Sequence, residues 1–446
     1  MFRKIVAGAL GLCLVAGLAA AESTPLAVVE LDGKKGCVDT TGKEVIPLIY
    51  SDIDLTDYKS SSLIAVKDGG KIGIYNHAGR RVLVADLDKI TAFNEGIFAG
   101  KKEGKWSFYD ATGKVLASGF ADVGVFGDGL APAKTDKYWG YVDKSGREAI
   151  PFIYKKVRNF SEGLAAVQAG KKWGYIDTQG NEILAPLYKQ ARDFHQGLAL
   201  VDKRYWIDTT GRQVALSRKY SYVGNFQPNG LAEVGQYHRR ASFLDYVSIG
   251  WGWGRGGGWY DDWYGPGWGG FFYMNPSFAV PEDLQRGYID MRGMEVISTE
   301  NEYVGEFVGD YAVVGNGNRW GMVNTQGQTV IPFMYERLTP LSNGLAAFRF
   351  DGKWGYVDDT NNMVIGNKFD SVTPFFGEYA TAVMNGQGGI IDRAGKFIMP
   401  PSSEYKSLGA LRYQRAAVRI NGKWGYVDET GRLVIPAQYD KASMFR

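Results

Sequence analysis

The chain has 446 residues, with 51 Lys and Arg against 48 Asp and Glu, a formal net charge of +3. That near balance excludes the strongly basic class that holds nucleic acid or an anionic surface by bulk charge. The 60 glycines, about twice the usual share, argue against a helical array, and 2 cysteines exclude a disulfide-dense scaffold.

The first element reads as an export signal. Met1 to Ala21 carries basic Arg3 and Lys4, an apolar run from Ile5 to Leu18, and three alanines before Glu22, the order of a secretory signal peptide cleaved near Ala21. The apolar run is short of the ~18 residues that a membrane span needs. Leu12 precedes Cys13 where a lipidation signal wants a small residue, and no other segment of the sequence is apolar enough to span. The expected location is periplasmic or extracellular. Cleavage removes Cys13 and leaves 49 basic against 48 acidic residues, a net charge of +1. Cys37 is then alone and is expected to fill a strand as a small apolar residue.

From Leu26 onward one phrase recurs: Lys-Trp-Gly-Tyr-Ile/Val-Asp, two variable residues, then Gly. Near-intact copies stand at Trp139 to Gly146, Trp173 to Gly180, Trp354 to Asp358 and Trp424 to Gly431. Placing each copy by its acid or amide gives Asp39, Asn76, Asp110, Asp143, Asp177, Asp208, Asp290, Asn324, Asp358, Asp392 and Asp428. The steps are 37, 34, 33, 34, 31, 82, 34, 34, 34 and 36 residues. Leu-Ala pairs at Leu26, Leu130, Leu164, Leu198, Leu231 and Leu345 keep the same phase. Eleven repeats of about 34 residues therefore form a tandem array, whose units present surface instead of sharing one core.

The copy from Gly163 to Gln196 is the cleanest. Leu164 to Val167 is a short apolar strand, Gly170 turns it, and Lys172 to Asp177 is a second strand rich in aromatic and β-branched residues. Asp177 to Gly180 has the Asp-first, Gly-fourth pattern of a type I turn, and a third strand follows from Glu182 to Ala185. Proline is expected to close that strand at Pro47, Pro151, Pro186, Pro332 and Pro436, since it cannot donate to a ladder. The glycine after each tryptophan lets a neighbouring backbone or ring come close.

One tryptophan buries ~200 Å², worth up to roughly 5 kcal/mol, whereas ordering 34 residues costs on the order of 50 kcal/mol. No repeat is expected to fold alone. Each three-stranded meander must stack on its neighbours.

These residues resemble the WG repeat family, whose consensus holds the Trp-Gly-Tyr-Ile-Asp strand, the turn glycine, a Val-Ile-Pro strand and a Glu-Gly-Leu-Ala step. The resemblance implies a bacterial β-rich module serving as a scaffold or interaction domain, with no shared catalytic residues. Lys35 and Cys37 depart from the Trp and Tyr positions of the first copy, and Ile72, Arg204 and Gly388 from the Trp position of the second, sixth and tenth.

Eleven units exceed the 4–8 blades usual for a propeller, and the period is shorter than the usual ~40–50 residues per blade. No repeat reads as split between the termini. The expected fold is therefore all-β, an open solenoid or superhelix, with a β-propeller-like ring or rings as the alternative.

The step of 82 is one repeat carrying about 48 extra residues. The organisation reads as 1–21 signal peptide, 22–235 repeats 1–6 and the first strand of repeat 7, 236–286 insertion, and 287–446 the remaining repeats. A hairpin turn tolerates such growth because closure entropy rises only logarithmically with length. The insertion holds five of the 12 tryptophans. Trp251, Trp253, Arg255, Trp259, Tyr260, Asp261, Asp262, Trp263, Tyr264 and Trp268 form the candidate ligand-binding set. Rings at this density ask for cover: the protein's own repeats, a glycan, peptidoglycan or protein partner, or peripheral contact with a membrane interface.

Catalytic chemistry is not legible. His77, His195 and His238 lie far apart without Cys or carboxylate companions at metal spacing, so no metal or cofactor is expected. Gly254 to Gly258 has neither the feeding strand nor the helix of a phosphate loop. The expected function is a non-catalytic exported scaffold binding a protein or envelope polymer. The alternative is a glycan hydrolase with carboxylates converging across repeats.

Overall fold

The computed structural model describes residues 24–55, 63–216, 219–237, 284–405 and 407–446. Among them are 42 strands and no helix, grouped in eleven antiparallel sheets, nine of four strands and two of three. In the fifth sheet, strand a is Lys156–Val157, b is Leu164–Ala169, c is Lys172–Asp177 and d is Glu182–Tyr188. Strands b, c and d are the meander legible in the sequence. Strand a is not, because two residues carry no alternation; it exists through the pairing of Lys156 with Gln168 and Val157 with Val167.

The glycine of the phrase is dictated by the pairing of c with d. Trp173 faces Tyr188 while Tyr175 faces Leu184, so Gly174 alone stands opposite Ala185, Pro186 and Leu187. Strand d bulges over it. A Cβ at the equivalent Gly140, Gly355 or Gly425 would lie 2.6, 2.5 and 2.5 Å from the carbonyl oxygens of Ile150, Ile365 and Ile435. The same bulge corrects the proline reading. Pro47, Pro151, Pro186, Pro332 and Pro436 lie inside strands Glu44–Tyr50, Glu148–Tyr154, Glu182–Tyr188, Thr329–Tyr335 and Leu433–Tyr439. A bulged residue has no ladder partner, so the missing N–H costs nothing there.

Neighbouring sheets are joined at three levels. The turn glycine after strand c packs on strand d of the preceding sheet: Gly146 against Leu116 and Ala117, Gly327 against Val296, and Gly42 against Ile435. The tyrosine hydroxyls of Tyr141, Tyr175, Tyr356 and Tyr426 donate to the carbonyls of Arg158, Arg192, Thr373 and Ser443 at 2.8, 2.7, 2.7 and 2.8 Å. In the a–b turns, Glu95, Asp128 and Glu162 accept the N–H of Gly129, Gly163 and Gly197 one sheet further on. Buried Tyr175 and Phe194 meet edge to face at 4.8 Å in one such interface.

The array closes. Val29 pairs with Ala442 and Glu30 with Lys441, so Lys441–Ala442 is strand a of the first sheet. Leu26 and Arg446 exchange backbone hydrogen bonds of 3.1 and 3.0 Å. Eleven apolar clusters each join two adjacent sheets, and one of them unites Ala27, Val29 and Val38 with Tyr426, Ile435 and Phe445. An open array has one interface fewer than it has units. The expected open solenoid is thus overturned, and the fold is an eleven-bladed β-propeller. The blade split between the termini escaped the sequence reading because its C-terminal share is two residues long. Closure also asks only about 33° of turn per blade, against about 45–90° in rings of eight to four; periodicity does not distinguish so shallow a turn from an open twist.

Candidate binding site

The ten residues singled out in the insertion, Trp251 to Trp268, lie outside the described residues, as do the signal segment and His238. The structure does place the insertion's roots. Strand b of blade 7, Leu231–Tyr237, pairs with strand c, Leu284–Asp290, as far as Tyr237 opposite Leu284. Residues 236, 237 and 284 to 286 therefore belong to the hairpin, and the chain leaves the ring at a b–c turn. Antiparallel order puts all b–c turns, and the connections from d to the next a, on one face of the propeller. The a–b and c–d turns occupy the other.

That other face holds the repeated acids, and each is engaged in its own turn. Asp143 Oδ1 accepts the amides of Ser145 and Arg147 at 2.8 and 3.0 Å, and Asp392 those of Ala394 and Lys396 at 3.0 and 2.9 Å. Asp39, Asn76, Asp110, Asp177, Asp208, Asp290, Asn324, Asp358 and Asp428 do the same. A hydrogen bond from Ser145 Oγ, then the amides, holds the Asp143 carboxyl below the usual carboxylate range. These groups are turn caps. Among the described residues no three His, Cys, Asp or Glu side chains cluster as metal ligands, and no helix is long and apolar enough to cross a membrane.

The b–c face carries a different pattern. At most blade junctions a carboxylate sits between strand c of one blade and the b–c turn of the next. Asp440 accepts Lys423 Nζ at 2.6 Å and the Asp32 amide at 2.8 Å; Asp370 accepts Lys353 Nζ and, at 3.0 Å, the Gly386 amide. Glu302 accepts the Gly317 amide at 2.8 Å. At two junctions where the residue is not acidic, after Phe120 and after Tyr188, the turn supplies the acid. Asp136 takes Lys105 at 3.3 Å, and Asp202 takes the amides of Lys189 and Gln190 at 2.6 and 2.9 Å.

The junction of blades 4 and 5 has neither source of acid. Its junction residue is Lys155, its turn reads Ala169-Gly170-Lys171, and the lysine of the phrase is replaced by Tyr138. Here a cleft of about 440 Å³ opens between Lys134, Trp139, Lys155, Lys156, Arg158 and Trp173. A second hollow of about 490 Å³ adjoins it, sharing Lys155 and lined by Tyr138, Phe152, Tyr154 and Gln168. Both tryptophans are half-buried, and Lys155 and Lys156 are exposed. Arg158 is fixed by donating Nε to the Ala191 carbonyl at 2.7 Å, and its charge is set against the half-buried Asp193, whose carboxyl desolvation pushes up. Lys134, Lys155 and Lys156 have no carboxylate oxygen within 4.0 Å among the described residues. The sequence held part of this signal at the position after the d-strand aromatic, where Tyr154-Lys155 contrasts with Phe369-Asp370 and Tyr439-Asp440; Tyr188-Lys189 repeats it, but there Asp202 of the turn supplies the acid. Counting total charge conceals it.

The fold and this surface define a closed β-propeller of short, mutually braced blades. The sequence profile of the WG containing repeat matches residues 36–71, 106–139, 139–173, 173–205, 287–320, 320–354, 354–387, 389–424 and 424–446. The chain belongs to the WG repeat family. The unmatched stretches include the copy with Ile72 in place of tryptophan and the first two strands of the blade that carries the insertion. No curated protein matches the chain in sequence. Among solved structures it is similar to the crystal structure of the eukaryotic initiation factor, at 10% identity over 94% of this chain and 98% of that chain, with a TM-score of 0.42. It is also similar to a chain in the crystal structure of the Mitotic Checkpoint Complex, at 12% identity over 53% and 96% of the two chains and a TM-score of 0.28.

Proposed function

We propose that the protein is an exported, non-catalytic scaffold that binds a protein or cell-envelope polymer through the b–c face of its ring. The observation that carries this reading is the division of labour between the faces. The repeated carboxylates of one are consumed in turns, whereas the other gathers the insertion's roots and the cleft of blades 4 and 5. A closed ring suits display, because blades braced on both sides hold a surface in place without a large buried core. The hydrolase alternative needs two free carboxylates about 5–10 Å apart in a groove, and the repeat acids that motivated it are capped. Export rests on the Arg3-Lys4, Ile5–Leu18 and Ala19–Ala21 pattern.

Affinity capture from envelope extracts tests the reading, with the full chain and a variant lacking residues 250–270 as baits. The expected result is specific recovery of a protein or polymer that is reduced or lost with the deletion. Recovery of nothing by either bait would count against it.

A further inference from the structure

We infer that the cleft between blades 4 and 5 is a binding site for an acidic saccharide, with sugar rings laid on Trp139 and Trp173 and carboxylates held by Lys134, Lys155 and Lys156. This rests on the reading of the b–c face as the binding face. The protein itself displays the chemistry that the seat accepts. At other junctions it is filled from within by a carboxylate, as where Asp440 meets Lys423 and the Asp32 amide, and Asp370 meets Lys353 and the Gly386 amide. At blades 4 and 5 both internal sources of that carboxylate are gone. Lys155 stands where Asp370 and Asp440 stand elsewhere, and the Ala169-Gly170 turn has no counterpart of Asp136 or Asp202. The local charge is therefore inverted, and a carboxylate from outside would complete the arrangement with charge-assisted hydrogen bonds.

The aromatic lining selects the kind of acid. Trp139 and Trp173 come from strands c of adjacent blades, and Tyr138, Phe152 and Tyr154 continue the lining across Lys155. Half-buried rings on rigid strands present flat apolar faces that match the C–H faces of pyranose rings, while the ammonium groups between them meet ring substituents. The adjoining hollows, of about 440 and 490 Å³, are open to solvent, which suits an extended oligomer laid along the surface better than an enclosed small molecule. An acidic peptide would satisfy the lysines and leave the rings without a matching face.

Isothermal titration of the purified mature chain with a galacturonic acid hexamer tests the proposal, with a neutral glucose hexamer and a poly-glutamate of similar charge as controls. Binding is expected for the uronic acid oligomer alone, weakening as salt rises. The variant Lys155→Asp installs the residue type of the Asp370 and Asp440 junctions and is expected to fold as the parent while binding about tenfold more weakly or worse. Trp139→Ala is expected to lose binding and the accompanying tryptophan fluorescence change. Equal binding of the neutral hexamer, equal or tighter binding of poly-glutamate, no binding of the uronic acid hexamer, or undiminished binding by Lys155→Asp would each overturn it. Failure here with successful envelope capture removes this ligand and keeps the scaffold; failure of both removes both.

Discussion

Val29 and Ala442 face each other in an antiparallel pair that joins the first blade to the last segment of the chain. Around it Phe445 is fully buried and its ring centre lies 4.9 Å from that of Tyr426, while Ser443 donates its amide to the Val28 carbonyl at 2.9 Å. Closure thus depends on a few residues at one junction. Phe445→Ala is expected to cost about 3–5 kcal/mol, the usual penalty for emptying a buried phenylalanine site, read as a lower denaturant midpoint. Deleting residues 440–446 is expected to raise the radius of gyration in solution scattering, as the ring opens. An unchanged radius and midpoint would refute the latch.

A second prediction concerns the glycine of the phrase. Gly355→Ala places a methyl 2.5 Å from the Ile365 carbonyl oxygen, and backbone cannot swing aside as a side chain can. The bulge of strand d must move, at an expected cost of about 1–3 kcal/mol. Gly366→Ala in the same blade meets nothing within 4 Å and has no positive φ, so it is expected to be neutral or slightly stabilising. Thermal unfolding of the two variants side by side checks the contrast; equal melting temperatures would contradict it.

The phrase was legible because it is made of positions with strict local demands. Gly174 must admit the bulge, and Asp177 must cap its turn, so both recur in register. Strand a was not legible, because Lys156–Val157 gains its identity from a partner across the sheet and not from its own pattern. Ring closure shared that blindness: Lys441–Ala442 is another two-residue strand a. The cleft lay between these cases. Lys155 is unremarkable alone and becomes informative only when superposed on Asp370 and Asp440, which requires knowing that the junction residue faces the next blade's turn.

Cys37 offers a chemical check on the first blade. It is fully buried in strand Lys34–Asp39 beside Tyr50 and Ile46, and burial pushes its thiol up to about 12. The thiolate is the reactive form, so a folded chain lacking residues 1–21, in which Cys37 is the single thiol, is expected to resist a thiol reagent such as DTNB at pH 8 and to react fully in denaturant. Rapid labelling of the native protein would mean that blade 1 opens readily.

The turn caps predict how stability responds to acid. Hydrogen bonds from the side chains of Thr112, Ser145, Asn181 and Thr210, followed by those from backbone amides, hold the carboxyls of Asp110, Asp143, Asp177 and Asp208 below their ordinary value of 3.8. A carboxyl whose folded pKa is depressed contributes stability that is complete above its unfolded pKa and is lost as pH falls through the folded one. The melting temperature is therefore expected to hold from neutrality to about pH 5 and then to fall as pH drops below 3.8, through protonation of these caps. Two repeats supply the control. Asn76 and Asn324 make the same pair of backbone hydrogen bonds with a group that does not titrate, at 3.1 and 2.9 Å for Asn76 and 3.0 and 2.9 Å for Asn324. Replacing Asp110, Asp143, Asp177 and Asp208 together by Asn should keep the fold at pH 7 and flatten the acid limb of the stability curve. If the fourfold variant loses stability on acidification as steeply as the parent, the caps are not its source.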